Sequence, residues 1–339
     1  MPPPGGRGVD PGERVRQDVP VSRPNEPSTV RVWSGPHAPQ GDLGRPVVTI
    51  GVFDGVHRGH QVIVARAVEI ARAADQGCVV VTFDPHPAAV LRSGSPVPSL
   101  ATVQRRIELL DHAGADAVWV LPFTAELSQL SPAEFVADAL VARLHPSVVV
   151  VGANFRFGHR ARGDVDTLRD LGAGQDFDVE AIQLTGEPGR PVWSSTQVRQ
   201  HLAAGDVAAA ARVLGRPHRL DGVVVHGDHR GRELGYPTAN LAASADAATP
   251  ADGVYSGWLV RAGGQRLPGA ISVGSNPTFD GVGRRAEVYV LDRTDLDLYG
   301  EQVGVEFAQR LRPMERFDSV PELLAAMASD VALARRQVG

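Results

Sequence analysis

Residues 51–60, Gly51-Val52-Phe53-Asp54-Gly55-Val56-His57-Arg58-Gly59-His60, constrain the fold more than any other stretch of the chain. They follow the apolar run Val47-Val48-Thr49-Ile50 and precede a long alanine-rich segment with helical periodicity. The stretch predicts a strand, a glycine-rich turn and a helix N-terminus carrying two histidines three residues apart. Glycines let backbone N–H groups approach phosphate oxygens, and a helix N-terminus adds positive potential. His57 and His60 can then donate hydrogen bonds to charge developing on phosphorus. The Rossmann dinucleotide pattern Gly-x-Gly-x-x-Gly is not what stands here. The plain structural alternative is a polar helix start without catalysis.

The bulk properties narrow what such a turn can serve. A chain of 339 residues is long enough for two domains. Basic and acidic residues number 34 and 39, giving a net charge of −5 with no basic stripe. A nucleic-acid polymer is therefore not an expected partner. No apolar run approaches the roughly 18 residues of a membrane span, and no signal-peptide core is present, so no membrane is expected either. The single cysteine, Cys78, opens an apolar run and reads as a core residue. One cysteine forms no internal disulfide, which fits a reducing cytosol and a cytoplasmic protein. The sequence contains no lysine. That removes the Walker A lysine, the protein-kinase strand lysine and any Schiff base. A bound nucleotide would meet backbone N–H groups, arginine, histidine and a metal.

Residues 1–28 are rich in Pro, Gly and Arg and predict a disordered tail. From Pro46 strands alternate with helices: strand 47–50, helix 60–74, strand 78–83, helix 102–113, strand 117–121, helix 132–144, strand 147–151, helix 165–171 and a last strand over 179–184. This is a doubly wound α/β pattern, whose ligands bind outside the carboxyl ends of the strands. Ser131-Pro132-Ala133-Glu134 is a capping box with proline at the first helical position. Helix 197–204 and a second short helix ending near Gly215 look like a connector. Beyond Arg216-Pro217 come strands 220–225, 253–261, 270–273, 286–291 and 302–310 between Gly and Pro turns. That is an antiparallel barrel or sandwich signature, closed by an amphipathic helix over 320–336. The domains are thus expected at 29–215 and 216–339.

Four strings in order carry a resemblance: the turn with its His-x-Gly-His, Thr82-Phe83-Asp84-Pro85-His86-Pro87, Gly152-Ala153-Asn154-Phe155-Arg156-Phe157-Gly158, and Ser194-Ser195-Thr196-Gln197-Val198-Arg199. Together they resemble the adenylyltransferase module of the prokaryotic bifunctional riboflavin kinase/FAD synthetase family. The resemblance implies a Rossmann-like nucleotidylyltransferase domain in which the FMN phosphate attacks the α-phosphorus of ATP and displaces pyrophosphate. A phosphate monoester is mostly dianionic near pH 7, so the step needs positioning and charge stabilisation, not a base. ATP and phosphate binding is expected of Gly51, Phe53, Asp54, Gly55, Gly59, Ser195, Thr196 and Arg199, and flavin binding of Asn154 and Phe155. Ser-Ser-Thr standing alone would read as a simple N-cap. Many relatives carry a basic residue where this chain has Val192, and a smaller aliphatic where it has Trp193.

The second half carries Gly231-Arg232-Glu233-Leu234-Gly235-Tyr236-Pro237-Thr238-Ala239-Asn240. Alone, a glycine-rich stretch between strands is a hairpin turn. Its Pro-Thr-Ala-Asn end resembles the riboflavin kinase signature, which implies an antiparallel β-barrel kinase domain with a terminal helix. Gly231, Arg232 and Gly235 become ATP-binding candidates. Thr238 and Asn240 become oxygen ligands for Mg²⁺, a cation that takes few protein ligands. Phosphorylating an alcohol requires removal of a proton, and the resemblance assigns that base to Glu287, on the strand face opposite Ala286 and Val288. Outside that comparison Glu287 reads as an exposed strand residue. Asn276 and Thr278 are flavin-site candidates. The implied small molecules are riboflavin, FMN, FAD and ATP, and the sequence allows weak self-association. Two other readings stand beside this one: a riboflavin kinase whose first domain is inactive, given Val192 and Trp193, and a flavin-binding regulator with both sites inert.

Overall fold

The computed structural model describes residues 30–36, 43–91, 97–184, 186, 192–227, 234–274, 285–293 and 295–339. The expected tail and the candidates Gly231, Arg232, Asn276 and Thr278 lie outside the described residues.

Runs of valine dictate the first layer. Six strands, β1 (Arg31–Ser34), β2 (Val47–Ile50), β3 (Cys78–Asp84), β4 (Ala117–Pro122), β5 (Val148–Gly152) and β6 (Asp178–Ile182), form one sheet. Their order is β1-β4-β3-β2-β5-β6, and every pair is parallel. Buried on both faces, β2 and β3 read as continuous apolar runs rather than alternating ones. From β2 the chain winds outward through β3 and β4, then returns to the other side of β2 as β5 and β6. The reversal opens a crevice beyond the carboxyl ends of β2 and β5. The turn 51–60 leaves β2, and Asn154 lies just beyond β5. Cys78 sits in the core, where burial pushes its thiol up to about 12.

The expected elements are present with small shifts at their ends. The first long helix spans Arg58–Ala73, beginning two residues earlier than periodicity implied because His57 itself is the N-cap. The capping box at Ser131 and Glu134 forms as expected. The helix it starts is α-helical only over Pro132–Glu134 and Ala142–Leu144, with a π-helical stretch, Phe135–Val141, between.

Six further strands, β7 (His218–Val225), β8 (Ala239–Ala243), β9 (Gly253–Arg261), β10 (Arg266–Gly274), β11 (Arg285–Val290) and β12 (Gln302–Arg312), close into a barrel in the order β10-β11-β8-β7-β12-β9. All neighbours are antiparallel, so the barrel of the two expected alternatives is the one observed. Alternate residues fill the interior, among them Ala286, Val288, Val290, Tyr255 and Phe307. At Gly257 a Cβ would stand 1.9 Å from the Glu306 carbonyl, so only glycine lets β9 and β12 approach so closely. The helix Val320–Val338 packs on β9, β10 and β12, tied down by Arg312 to the buried Asp330 at 2.8 Å.

The two halves share apolar packing. Helices Ser195–Ala203 and Val207–Leu214 place Val198, Leu202, Val207, Ala210 and Leu214 in the same cluster as the barrel interior, together with Leu100 from the sheet half. Backbone bonds cross at the same place: Ser99 accepts from Ala248, and its own N–H donates to Asp246 at 2.7 Å.

Candidate active sites

The turn after β2 is a strained segment held from several sides. Phe53 and Val56 adopt left-handed backbone at φ 49° and 38°, and Gly55 at 76°. For a β-branched residue such as Val56 that conformation is unfavourable and needs support from its surroundings. A Cβ on Gly55 would lie 3.0 Å from Leu100 and 3.3 Å from Leu214, so glycine is required there twice over. The Val52 carbonyl accepts from the Thr82 hydroxyl at 2.9 Å and from buried Arg106 at 3.0 Å. Arg106 also binds the Phe83 carbonyl at 2.8 Å, joining the ends of β2 and β3. At the far end of the turn, Arg216 donates to the Gly55 carbonyl at 2.6 Å and to Val56 at 3.1 Å.

His57 caps the helix: its Nδ1 accepts the His60 backbone N–H at 3.4 Å. An acceptor Nδ1 puts the proton of a neutral imidazole on Nε2. Burial, and then the Arg216 cation, hold His57 down to about 4. His60 stacks on it, with ring centroids 3.6 Å apart, and burial pushes His60 well below the ordinary range too. Near pH 7 both rings are neutral, so they can serve as hydrogen-bond donors and not as cations. His60 Nδ1 is buried without a protein hydrogen-bond partner.

The serine motif docks on this turn. Ser194, not Ser195, is the N-cap of helix Ser195–Ala203, accepting from Gln197 at 3.2 Å. Ser195 donates to the Asp54 carbonyl at 2.8 Å, and Thr196 is exposed. Arg199 and Asp54 were both expected on phosphate, yet they face each other in an ion pair. Asp54, buried at 2% exposure, also accepts the Leu100 N–H at 3.0 Å, and Arg199 donates to the Pro98 carbonyl at 2.6 Å. Burial raises the Asp54 carboxyl despite Arg199 and Arg106. Across the crevice Asn154 is exposed, while Phe155 stacks on core residue Phe157 at 5.5 Å. Val192 is exposed, and Trp193 packs against the shared apolar cluster with Arg58 5.8 Å from its ring.

On the barrel, three expected residues converge. Thr238 directly precedes β8, and its hydroxyl reaches Glu287 at 3.3 Å. Asn240 pairs with Glu287 across β8 and β11, so the two side chains share one face. Glu287 lies on the outer side of β11, with Ala286 and Val288 inward, as the alternation implied. A hydroxyl, an amide oxygen and a carboxylate form a hard oxygen set suited to Mg²⁺. Gly235, at φ 83°, is exposed in the turn just before this cluster. Tyr236 meets Tyr289 edge-on at 5.2 Å, and His226 stacks on Tyr299 at 3.9 Å. Strand β8 begins inside the Pro-Thr-Ala-Asn string, whose local pattern does not mark a strand.

Residues 40–197 match the family model for FAD synthetase, and residues 214–338 match that for riboflavin kinase. The chain belongs to the bifunctional riboflavin kinase/FMN adenylyltransferase family. Curated relatives bearing that name include those of Pseudomonas fluorescens, 43% identical over 85% of this chain and 92% of the relative, and Escherichia coli K12, 36% identical over 86% and 93%. The Bacillus subtilis protein is 30% identical over 89% of this chain and 95% of its own. A solved structure titled a macrolide-efflux protein from Streptococcus pneumoniae superposes with a TM-score of 0.80 at 33% identity, over 90% of this chain and 99% of that one. Its title names another activity, and the likeness bears on architecture. Among the described residues no helix is long and apolar enough to cross a membrane. As a member of the bifunctional family, the chain is an ATP-using riboflavin kinase and FMN adenylyltransferase, making FMN and then FAD.

Four contributors escaped the sequence reading: Arg106, Arg216, Gln61 and the 98–100 segment. None sits in a recognisable string, and each makes a tertiary contact across 46 or more residues.

Proposed function

We propose that the two reactions run at two separate constellations, the turn 51–60 with Ser195, Thr196 and Asn154 for adenylylation, and Thr238, Asn240 and Glu287 for phosphorylation. At the first, the N–H groups of Phe53, Gly55 and Gly59 and the helix N-terminus receive the ATP phosphates, bordered by Gly51, whose own N–H donates to the Val81 carbonyl. His57 Nε2–H and His60 donate to the oxygens that gain charge as the FMN phosphate attacks the α-phosphorus. Asp54 and Arg199 hold the turn against the 98–100 segment, and a phosphate role for Arg199 would require that pair to open. Asn154 and Phe155 border the flavin side of the crevice.

At the second constellation Glu287 takes the proton of the riboflavin hydroxyl as it attacks the γ-phosphorus. Thr238 donates to the same carboxylate and orients it. Thr238 and Asn240 would hold Mg²⁺, which when bound neutralises charge on the ATP phosphates. Gly235, with Gly231 and Arg232, belongs to the ATP side, and Asn276 and Thr278 to the flavin side. We assign the first reaction to residues 29–215 and the second to 216–339, in the cytoplasm, with no nucleic acid or membrane partner and at most weak self-association.

The meeting of Thr238, Asn240 and Glu287 on one face is the observation that carries this reading: the Thr238 hydroxyl bonds the Glu287 carboxylate, and Asn240 stands opposite Glu287 in register. Riboflavin and ATP, with and without Mg²⁺, followed by chromatography, test it. Wild type should form FMN and then FAD only with Mg²⁺. His57→Ala with His60→Ala should accumulate FMN without FAD. Unchanged FAD output from that double variant would refute the assignment of the turn.

A further inference from the structure

The carbonyl of Val56 has two side-chain donors: Arg216 at 3.1 Å and Gln61 at 2.8 Å. The same two side chains also share the Leu214 carbonyl, at 3.1 and 2.9 Å. Arg216 adds a bond to Gly55 at 2.6 Å. Turn, first helix and connector are thereby knotted at one point. Arg216 lies within the residues matched by the riboflavin kinase model and beyond those matched by the FAD synthetase model.

A peptide group is planar, with its C=O and N–H on opposite sides. Drawing the Val56 carbonyl toward Arg216 and Gln61 therefore turns the following N–H, that of His57, the other way. Drawing the Gly55 carbonyl inward does the same for the Val56 N–H, which closes the turn on Phe53 at 3.0 Å. Val56 holds its unfavourable φ of 38° inside this knot. A guanidinium can reach three carbonyls at once because its donors form a rigid fork, and a lysine ammonium cannot do so with the same geometry.

We infer that Arg216, although it belongs to the kinase half, is a positioning residue for adenylyl transfer, fixing the peptide planes of Gly55 and Val56 so that the turn presents its donors to the nucleotide. This rests on the assignment of the turn 51–60 to that reaction. Arg216 touches no reacting atom in this account, so its loss should lower turnover rather than binding of FMN.

The full-length variants Arg216→Gln, Arg216→Lys and Gln61→Met test this, each assayed for both reactions. Arg216→Gln should lower kcat for FAD formation by about 10- to 100-fold, with KM for FMN within about threefold and riboflavin phosphorylation within about twofold. Arg216→Lys should fall between it and wild type. Gln61→Met, which keeps Arg216 in place, should lose less in the same direction. The kinase reaction in the same chain reports that the variant has folded. Unchanged FAD kcat in Arg216→Gln, or a parallel fall in both reactions, would overturn the inference. His57→Ala serves as the control. If it abolishes FAD formation while Arg216→Gln does not, only the positioning role fails; if it leaves FAD formation intact, the assignment of the turn fails first.

Discussion

Replacing His57 with asparagine separates its structural task from its titration. Asparagine caps helix N-termini as well as any residue, so the helix Arg58–Ala73 should still start properly. It does not titrate. In the wild type, His57 is held at about 4 against an ordinary 6.5, by burial first and Arg216 second. A histidine whose folded value is depressed is protonated first in the unfolded chain as pH falls. The stability it contributes is therefore present above about pH 6.5 and is lost between there and about pH 4. The whole shift corresponds to about 3 kcal/mol, of which about 2 kcal/mol is lost between pH 7 and pH 5. Urea unfolding at those two pH values, followed through buried Trp119 of the sheet, measures it. His218, also held at about 4 inside the barrel, and Asp54, pushed up by burial, titrate in both proteins and cancel in the comparison. The drop from pH 7 to pH 5 should be smaller in His57→Asn by about 2 kcal/mol. An identical drop in the two proteins would refute the picture of a buried, neutral His57.

Glu287→Gln keeps the shape and the Thr238 contact but cannot accept a proton; FMN formation should fall by about 10²- to 10⁴-fold while FMN is still converted to FAD, as a chromatographic assay of both steps would report. Gly55→Ala should destabilise the chain by about 1–2 kcal/mol in thermal or urea unfolding, since it combines a positive φ with contact against Leu100, and should depress FAD formation more than FMN formation.

Strand periods, caps and the turn after β2 were legible because each is a local pattern. The second constellation was legible through its resemblance to the riboflavin kinase signature rather than through periodicity; the register of β8 and β11 then sets Asn240 opposite Glu287. Other features were not local. The strand Arg31–Ser34 is four residues at a sheet edge, largely exposed, with too little alternation to stand out. The π-helical stretch Phe135–Val141 has the same composition as the α-helix it interrupts. Arg199 looked like a phosphate clamp because a helix start precedes it, yet a buried carboxylate 145 residues earlier takes its guanidinium. Nothing in the neighbourhood of an isolated Arg106 or Arg216 announces which carbonyls it will reach.

The apolar cluster that unites the barrel with helices Ser195–Ala203 and Val207–Leu214 redraws the cooperative units of the molecule. By sequence, Ser195 and Thr196 belong to the adenylyltransferase half. By packing, the helix they begin should open and close with the barrel. In native-state hydrogen exchange its amides should share the slow exchange of β7 and β12 rather than that of β5 and β6. A ligand that steadies the barrel would then also slow the fraying of a helix that we assign to the other reaction.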